Sequence, residues 1–209
     1  MGTRHSILVQ VDGDYKIAQY GQWDGYPDGQ GVEILKFLRE EMDREKFAAA
    51  VRNCTEISEA TLRRKWADIG VKVTKDGSIM ATMEQSDKFK KLNLHLSRDC
   101  GSDVLKLVQD AGGLELRLNK TFPAESLFCE WAYVIDLDRN TFEVYKGFNH
   151  EPLDPQERFA TLRIPDDYKN DYYQVRHAHT WPLDALPDQE TFLATFKEPD
   201  EDEGEEEAA

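Results

Sequence analysis

The chain opens Met1-Gly2-Thr3-Arg4 and passes at once into an apolar stretch over residues 7–11. Soon after comes the segment Tyr20-Gly21-Gln22-Trp23-Asp24-Gly25-Tyr26-Pro27-Asp28-Gly29-Gln30-Gly31. A strand that starts this early sets the amino terminus against a loop crowded with Trp, Tyr, Asp and Gln, and an amino-terminal residue can itself be a catalytic group. On that chemistry Thr3 is the candidate nucleophile, its own amine acting as base once the residues before it are removed. Arg4 and Asp24 would support it, and Gln22 would contact the substrate or a developing oxyanion. The same segment is a candidate ligand site. Asp24, Gly25, Pro27 and Asp28 are ordinary turn formers, but Tyr20, Trp23 and Tyr26 exceed what a turn needs. Aromatics with a polar edge gather where a ligand or partner docks.

Two other places carry chemistry-bearing residues. Ser97-Arg98-Asp99-Cys100-Gly101 precedes a helix, where free backbone N–H groups favour an anion and where Ser and Asp are also plain caps. His177-Ala178-His179 is a spacing that puts both imidazoles on one face of a strand, a geometry open to a metal. No third ligand accompanies them, so neither a metal nor a cofactor is expected. The chain has no phosphate-cradling glycine loop of the Walker kind, no Gly-x-Ser-x-Gly and no His-Glu-x-x-His.

The elements that must position these residues follow from period and turn chemistry. Residues 5–11 and 15–20 read as antiparallel strands, with Asp12-Gly13 supplying the positive φ angles of a tight turn. Val32, Ile34, Leu35, Leu38 and Met42 recur at helical spacing, which predicts a helix over 31–42; residues 43–52 continue it or form a second. Ser58 opens a helix that Gly70 stops. Residues 71–92 are poorly patterned, apart from a turn signal at Asp76-Gly77 and a basic spot at Lys88, Lys90 and Lys91. Val104, Leu105, Leu107 and Val108 mark a short helix capped by Asp99 or Ser102 and ended by Gly112-Gly113. Leu114, Leu116 and Leu118 alternate as a strand. Residues 127–137 and 141–145, joined by Asp138-Arg139-Asn140, form the clearest hairpin. Residues 172–181 make another strand, and Asp188 caps a last helix carrying Phe192, Leu193 and Phe196. The sum is one α+β domain over 1–197, antiparallel sheets packed with helices.

Composition narrows the function classes. The formal net charge is −15 over 209 residues. Eight acidic residues fall between Glu198 and Glu207, so the body carries about −7, an ordinary acidic surface. The 198–209 tail is too charged and too poor in apolar residues to pack, and is expected to be disordered. An acidic body offers nothing to a phosphate backbone, which argues against nucleic acid as a partner. No apolar run approaches the roughly 20 residues of a membrane span, and the leading residues lack the layout of a secretory signal. Cys54, Cys100 and Cys129 are odd in number and widely spaced, as reduced thiols are. A cytoplasmic protein is expected. Met1 to Ser6 also fits the short N-myristoylation pattern at Gly2, against which stand the strand at Ile7 and the lack of a polybasic patch.

A strand from the second or third residue, a tight turn, and a second strand running into Gly21-Gln22-Trp23-Asp24 resembles the start of N-terminal-nucleophile (Ntn) hydrolases. The likeness is greatest to the choloylglycine-hydrolase and related amidohydrolase branch. There Met is removed to expose Cys, and the second strand ends in a segment shaped like Gly-Arg-Asn-x-Asp-Trp. The hairpin over 131–145 is similar to a late hairpin of that fold. The resemblance implies an αββα four-layer sandwich, in which Arg98 and Asp99 reach the opening loop and complete a polar pocket. The chain also resembles short bacterial and phage-borne proteins with the Gly-Thr-Arg opening, a likeness that carries no activity. Two departures matter: Gly2 stands at the family's nucleophile position, and Gly21 stands where its arginine would be. The expectation is therefore an Ntn-like domain that binds a small molecule or protein partner through the 20–31 loop. The alternative is an amidohydrolase acting on a C–N amide bond with Thr3 as nucleophile.

Overall fold

The computed structural model describes residues 2–74, 78–166 and 171–197; the acidic tail and the Asp76-Gly77 turn lie outside them. The first hairpin forms as its pattern predicts, with β1 (His5–Val11) antiparallel to β2 (Asp14–Gly21). Asp12 and Gly13 take φ of 54° and 77° at the turn. A helical stretch follows from Pro27, earlier than its apolar stripe suggests. α1 (Val32–Lys36) is flanked by π-helical turns at Pro27–Gly31 and Phe37–Glu41. Pro27 is suited to a first helical position because its missing N–H would have no partner there. The loop is consequently shorter than 20–31: Tyr20 and Gly21 finish β2, and only residues 22–26 are irregular.

α2 (Arg44–Arg52), β3 (Thr55–Glu56), α3 (Glu59–Asp68), β4 (Lys72–Val73) and β5 (Ile79–Met80) come next. Ser58 caps α3 by accepting the Thr61 N–H, and Gly70 ends the turn after it at φ 85°. α4 (Met83–Leu92) is a helix the apolar period misses. Its signal is the reciprocal capping box between Thr82 and Gln85. α5 (Asp103–Ala111), β6 (Glu115–Leu116), β7 (Trp131–Asp136), β8 (Thr141–Lys146), β9 (Arg176–Pro182) and α6 (Gln189–Phe196) complete the chain.

The main sheet has the order β2-β1-β7-β8-β9. Its pairs are antiparallel except β1 with β7, which run parallel in the register His5↔Trp131 to Gln10↔Asp136. This sheet is mixed, not purely antiparallel. The helices between β1 and β7 form the long crossover that parallel neighbours require. The fold is α+β. Among the described residues it has one large sheet with two minor two-stranded pairs, β3-β6 and β4-β5, not the two facing sheets of a four-layer sandwich.

β1 and β7 are central strands, and their near-continuous apolar runs reflect burial on both faces. Ile7, Val9, Val11, Tyr133, Ile135, Phe142 and Val144 face the helices and pack with residues of α1, α2, α5 and α6. Leu8, Ala132, Val134 and Tyr145 face the other way, against Phe159, Val175 and Cys129 from irregular chain. A smaller cluster of Ile57, Leu62, Phe89 and Leu96 holds α3 and α4 together, and Trp66 stacks on Phe89 at 3.7 Å. No helix among the described residues is long and apolar enough to cross a membrane.

Candidate functional site

The opening backbone is fixed against the loop. Thr3 is 6% exposed, and its carbonyl accepts the N–H of Gly25 at 3.0 Å. Gly2 lies beneath Trp23: a Cβ at position 2 would fall 2.1 Å from the indole Cε3 and 2.6 Å from the Gln22 carbonyl oxygen. One strand over, a Cβ at Gly21 would fall 2.1 Å from both Cε1 and Nε2 of His5. The two glycines that depart from the Ntn pattern therefore have a steric reason. Trp23 fills the space a side chain at 2 would need, and the His5 ring fills the space of one at 21. Since His5 is buried and cannot swing aside, Gly21→Ala should cost about 1–3 kcal/mol, as overpacking does. Denaturant unfolding of the variant against the parent checks this, and an unchanged midpoint would mean that the ring has room to move.

The remaining sequence candidates divide among three places. Asp24 takes φ 57°, and its carbonyl receives the Gln30 N–H at 2.9 Å. Arg4 forms no ion pair with it. The Arg4 guanidinium lies over the Phe128 ring at 4.6 Å, while its main chain bonds Glu130. Tyr20 donates its hydroxyl to Gln22 Oε1 at 2.6 Å. Trp23 Nε1 donates to Asp99 Oδ1 at 3.0 Å, and Lys90 bonds the other oxygen at 2.9 Å. The Gln22 N–H reaches the Arg98 carbonyl at 3.1 Å. Lys90, assisted by Trp23, holds the Asp99 carboxyl below its usual range. Tyr26 is separate from these, half-exposed on the far side of the loop.

Beneath the loop lies an unusual polar set. His5 is 1% exposed, and neither ring nitrogen has a hydrogen-bond partner; Arg4 Nε and Ser6 Oγ are buried and unpartnered as well. Burial pushes the His5 pKa down to about 4, with the Thr3 backbone opposing weakly. The imidazole is neutral at pH 7. Tyr133, fully buried, donates to the Gly25 carbonyl at 2.9 Å and so anchors the loop from below.

Three cavities adjoin this region. The largest, about 870 Å³, lies between Tyr26-Pro27-Asp28, Trp131 and Lys146 of the sheet end, Phe148, and Leu193 and Phe196 of α6. A second, about 200 Å³, is lined by Gln19, Tyr20, Ser97, Arg98, Arg117 and Asn119. A third, about 420 Å³, shares Ser97, Arg98 and Arg117 and adds Trp66, Phe89 and Asp87.

Two expectations are corrected. The start of α5 is not an open anion site; Ser102, not Asp99, holds the N-cap position, but its side chain makes no capping hydrogen bond. Ser102 N donates to Gln30 Oε1 at 2.7 Å, and the N–H groups of Asp99, Cys100, Asp103 and Val104 also find partners within the chain. The two histidines do not share a face. A bulge pairs His179 with Val144 and His177 with Tyr145, neighbours that point to opposite sides of the sheet. His177 meets the Tyr145 ring and His179 the Trp181 ring. Among the described residues no group of three or more His, Cys, Asp or Glu could hold a metal.

One cluster escapes sequence reading altogether. Arg158, in irregular chain, reaches Asp136 at 2.5 Å and Glu143 at 2.6 and 2.8 Å, with Gln10 and Tyr15 taking its other N–H groups. The only hint is a set of polar residues at alternate positions of otherwise apolar strands. No family model, curated protein or solved structure matches the chain.

Proposed function

We propose that this protein binds a small molecule seated in the apolar cavity beside Tyr26, its opening strand resembling that of Ntn hydrolases but without their nucleophile. The observation that carries the reading is that cavity. Its volume of about 870 Å³ falls within the range of sites that enclose a small organic ligand. Tyr26 and Phe148 stand at its rim 50% and 48% exposed, large rings whose exposure gains nothing for folding. Trp131, Leu193 and Phe196 supply an apolar floor, and Lys146, Glu130 and Asp28 place charge at the edge. That lining suits an amphipathic molecule with an apolar or aromatic body. The glycine at position 2, closed off by Trp23, supports a binding role over a catalytic one.

An environment-sensitive dye such as 8-anilinonaphthalene-1-sulfonate tests this directly. The folded protein should enhance its emission saturably. Ala194→Trp, which fills the cavity from α6, should abolish the enhancement, and Tyr26→Ala should weaken it with little change in thermal midpoint. Enhancement that survives Ala194→Trp would overturn the reading. The alternative, an amidohydrolase with Thr3 as nucleophile, draws on the fixed opening backbone but has Thr3 buried and lining none of the three cavities. An intact mass beginning at Thr3 would favour that alternative.

A further inference from the structure

The two smaller cavities share a wall, and the charges on it run against the character of the chain. In a protein of net charge −15, Arg98 and Arg117 converge on the 200 Å³ cavity with no carboxylate lining it. Neither guanidinium has an ion pair or hydrogen bond among the described residues. Arg98 lies close enough to influence Asp99, but Lys90 is the group bonded to that carboxylate. The other lining groups are donors or can become so. The Asn119 side chain is unengaged, and Ser97 Oγ accepts from the Asp99 N–H at 3.1 Å, which leaves its own proton to give. Gln19 is committed elsewhere, donating to the carbonyls of Tyr20 and Ser97.

The adjoining 420 Å³ cavity differs. It adds the carboxylates Asp87 and Asp99, the latter bonded to Lys90, to the shared arginines, so its charge is mixed, and it presents Trp66, which is half-buried and stacked on Phe89 at 3.7 Å. Charge and shape thus divide the two. One end takes an anion through planar guanidinium forks, which match the oxygens of phosphate; the other takes a ring that can lie along an indole.

We infer that Arg98 and Arg117 hold the phosphate of a phosphorylated small molecule, whose planar ring occupies the cavity lined by Trp66. A mononucleotide has that form. This site is distinct from the apolar cavity beside Tyr26, and either can fail without the other.

Calorimetric titration of the full chain at constant ionic strength, with inorganic phosphate and with adenosine 5′-monophosphate as separate probes, tests it. Both probes should bind saturably, the nucleotide roughly tenfold or more tightly because the ring adds stacking. Arg98→Gln and Arg117→Gln should each weaken the nucleotide by roughly tenfold or more, the usual loss of a charge-assisted hydrogen bond. Both arginines are exposed, so the variants should keep the parent's circular dichroism. Three outcomes would overturn the inference: no saturable binding of either probe, nucleotide binding unaffected by both substitutions, or nucleotide no tighter than inorganic phosphate.

Discussion

Arg158→Met should be the most destabilising single substitution in the irregular chain that covers the sheet, costing about 3–5 kcal/mol, the usual penalty for stranding a buried charge. Asp136 is 0% exposed and the side chains of Glu143 and Arg158 are each 7% exposed. All the guanidinium's N–H directions are spent on Asp136, Glu143, Gln10 and Tyr15. Removing it leaves two buried carboxylates on neighbouring strands with no cation between them. Arg139 approaches Asp136 only at 3.9 Å from solvent, too far to substitute. Burial alone would raise the Glu143 pKa. Its bonds from Arg158 and Tyr145 outweigh that, and the net shift is downward. The network's contribution is therefore present above the unfolded carboxylate value and lost as acid protonates Glu143 through its lower folded value. Denaturant midpoints at pH 7 measure the cost. If the loss comes from unpaired charge, Arg158→Met with Asp136→Asn and Glu143→Gln should recover much of it. A triple variant as unstable as the single one would place the cost in packing instead.

Elements are legible in the sequence wherever local chemistry decides them. The hairpin of β1 and β2 is legible because Ile7, Val9 and Val11 are apolar and Asp12-Gly13 tolerates positive φ. The hairpin of β7 and β8 is legible for the same reason, with Asn140 at φ 59°. The strand expected over 127–137 is too long at its start, since Phe128 and Cys129 turn back to bond Glu125. Pairing of β1 with β7 is not legible, because parallel register depends on a crossover whose length carries no local signal. The crowding of aromatics and glycines at 20–26 marks the segment that packs over the amino terminus, where Gly25 N–H bonds the Thr3 carbonyl. The pattern does not show that Tyr26 and Trp23 part company, one to the apolar cavity and the other to cover Gly2. The same one-residue sensitivity defeats the expectation for His177 and His179, because a bulge flips the faces of a strand without any change in composition. Arg98 stands out in the sequence for a neighbouring helix end; its use as a side chain needs Arg117, which only the fold brings near.

Stability should fall between pH 6.5 and about 4 by about 3 kcal/mol through His5 alone, and His5→Phe should remove that limb. The ordinary imidazole value of 6.5 drops to about 4 in the folded protein, and a displacement of one pH unit corresponds to about 1.4 kcal/mol. Because the folded pKa is the lower one, the unfolded chain takes up a proton below 6.5 that the native chain refuses. The contribution is full above pH 6.5 and declines as pH falls toward 4. Glu143 acts in the same direction, but only below its unfolded value of 4.5, which leaves the upper part of the window to histidine. His95 and His179 are also lowered, chiefly by burial. The slope of His5→Phe subtracted from that of the parent isolates the one residue. The ring stands against Gly21 and Gly25 with neither nitrogen in a well-formed hydrogen bond, so an apolar ring gives up only the attraction of the Thr3 backbone and is otherwise opposed by its slightly larger size. Unfolding free energies at half-unit intervals from pH 7 to 4.5 decide the matter. Parallel slopes for parent and variant would mean that the imidazole reaches solvent in the folded protein and is not the plug that keeps position 21 a glycine.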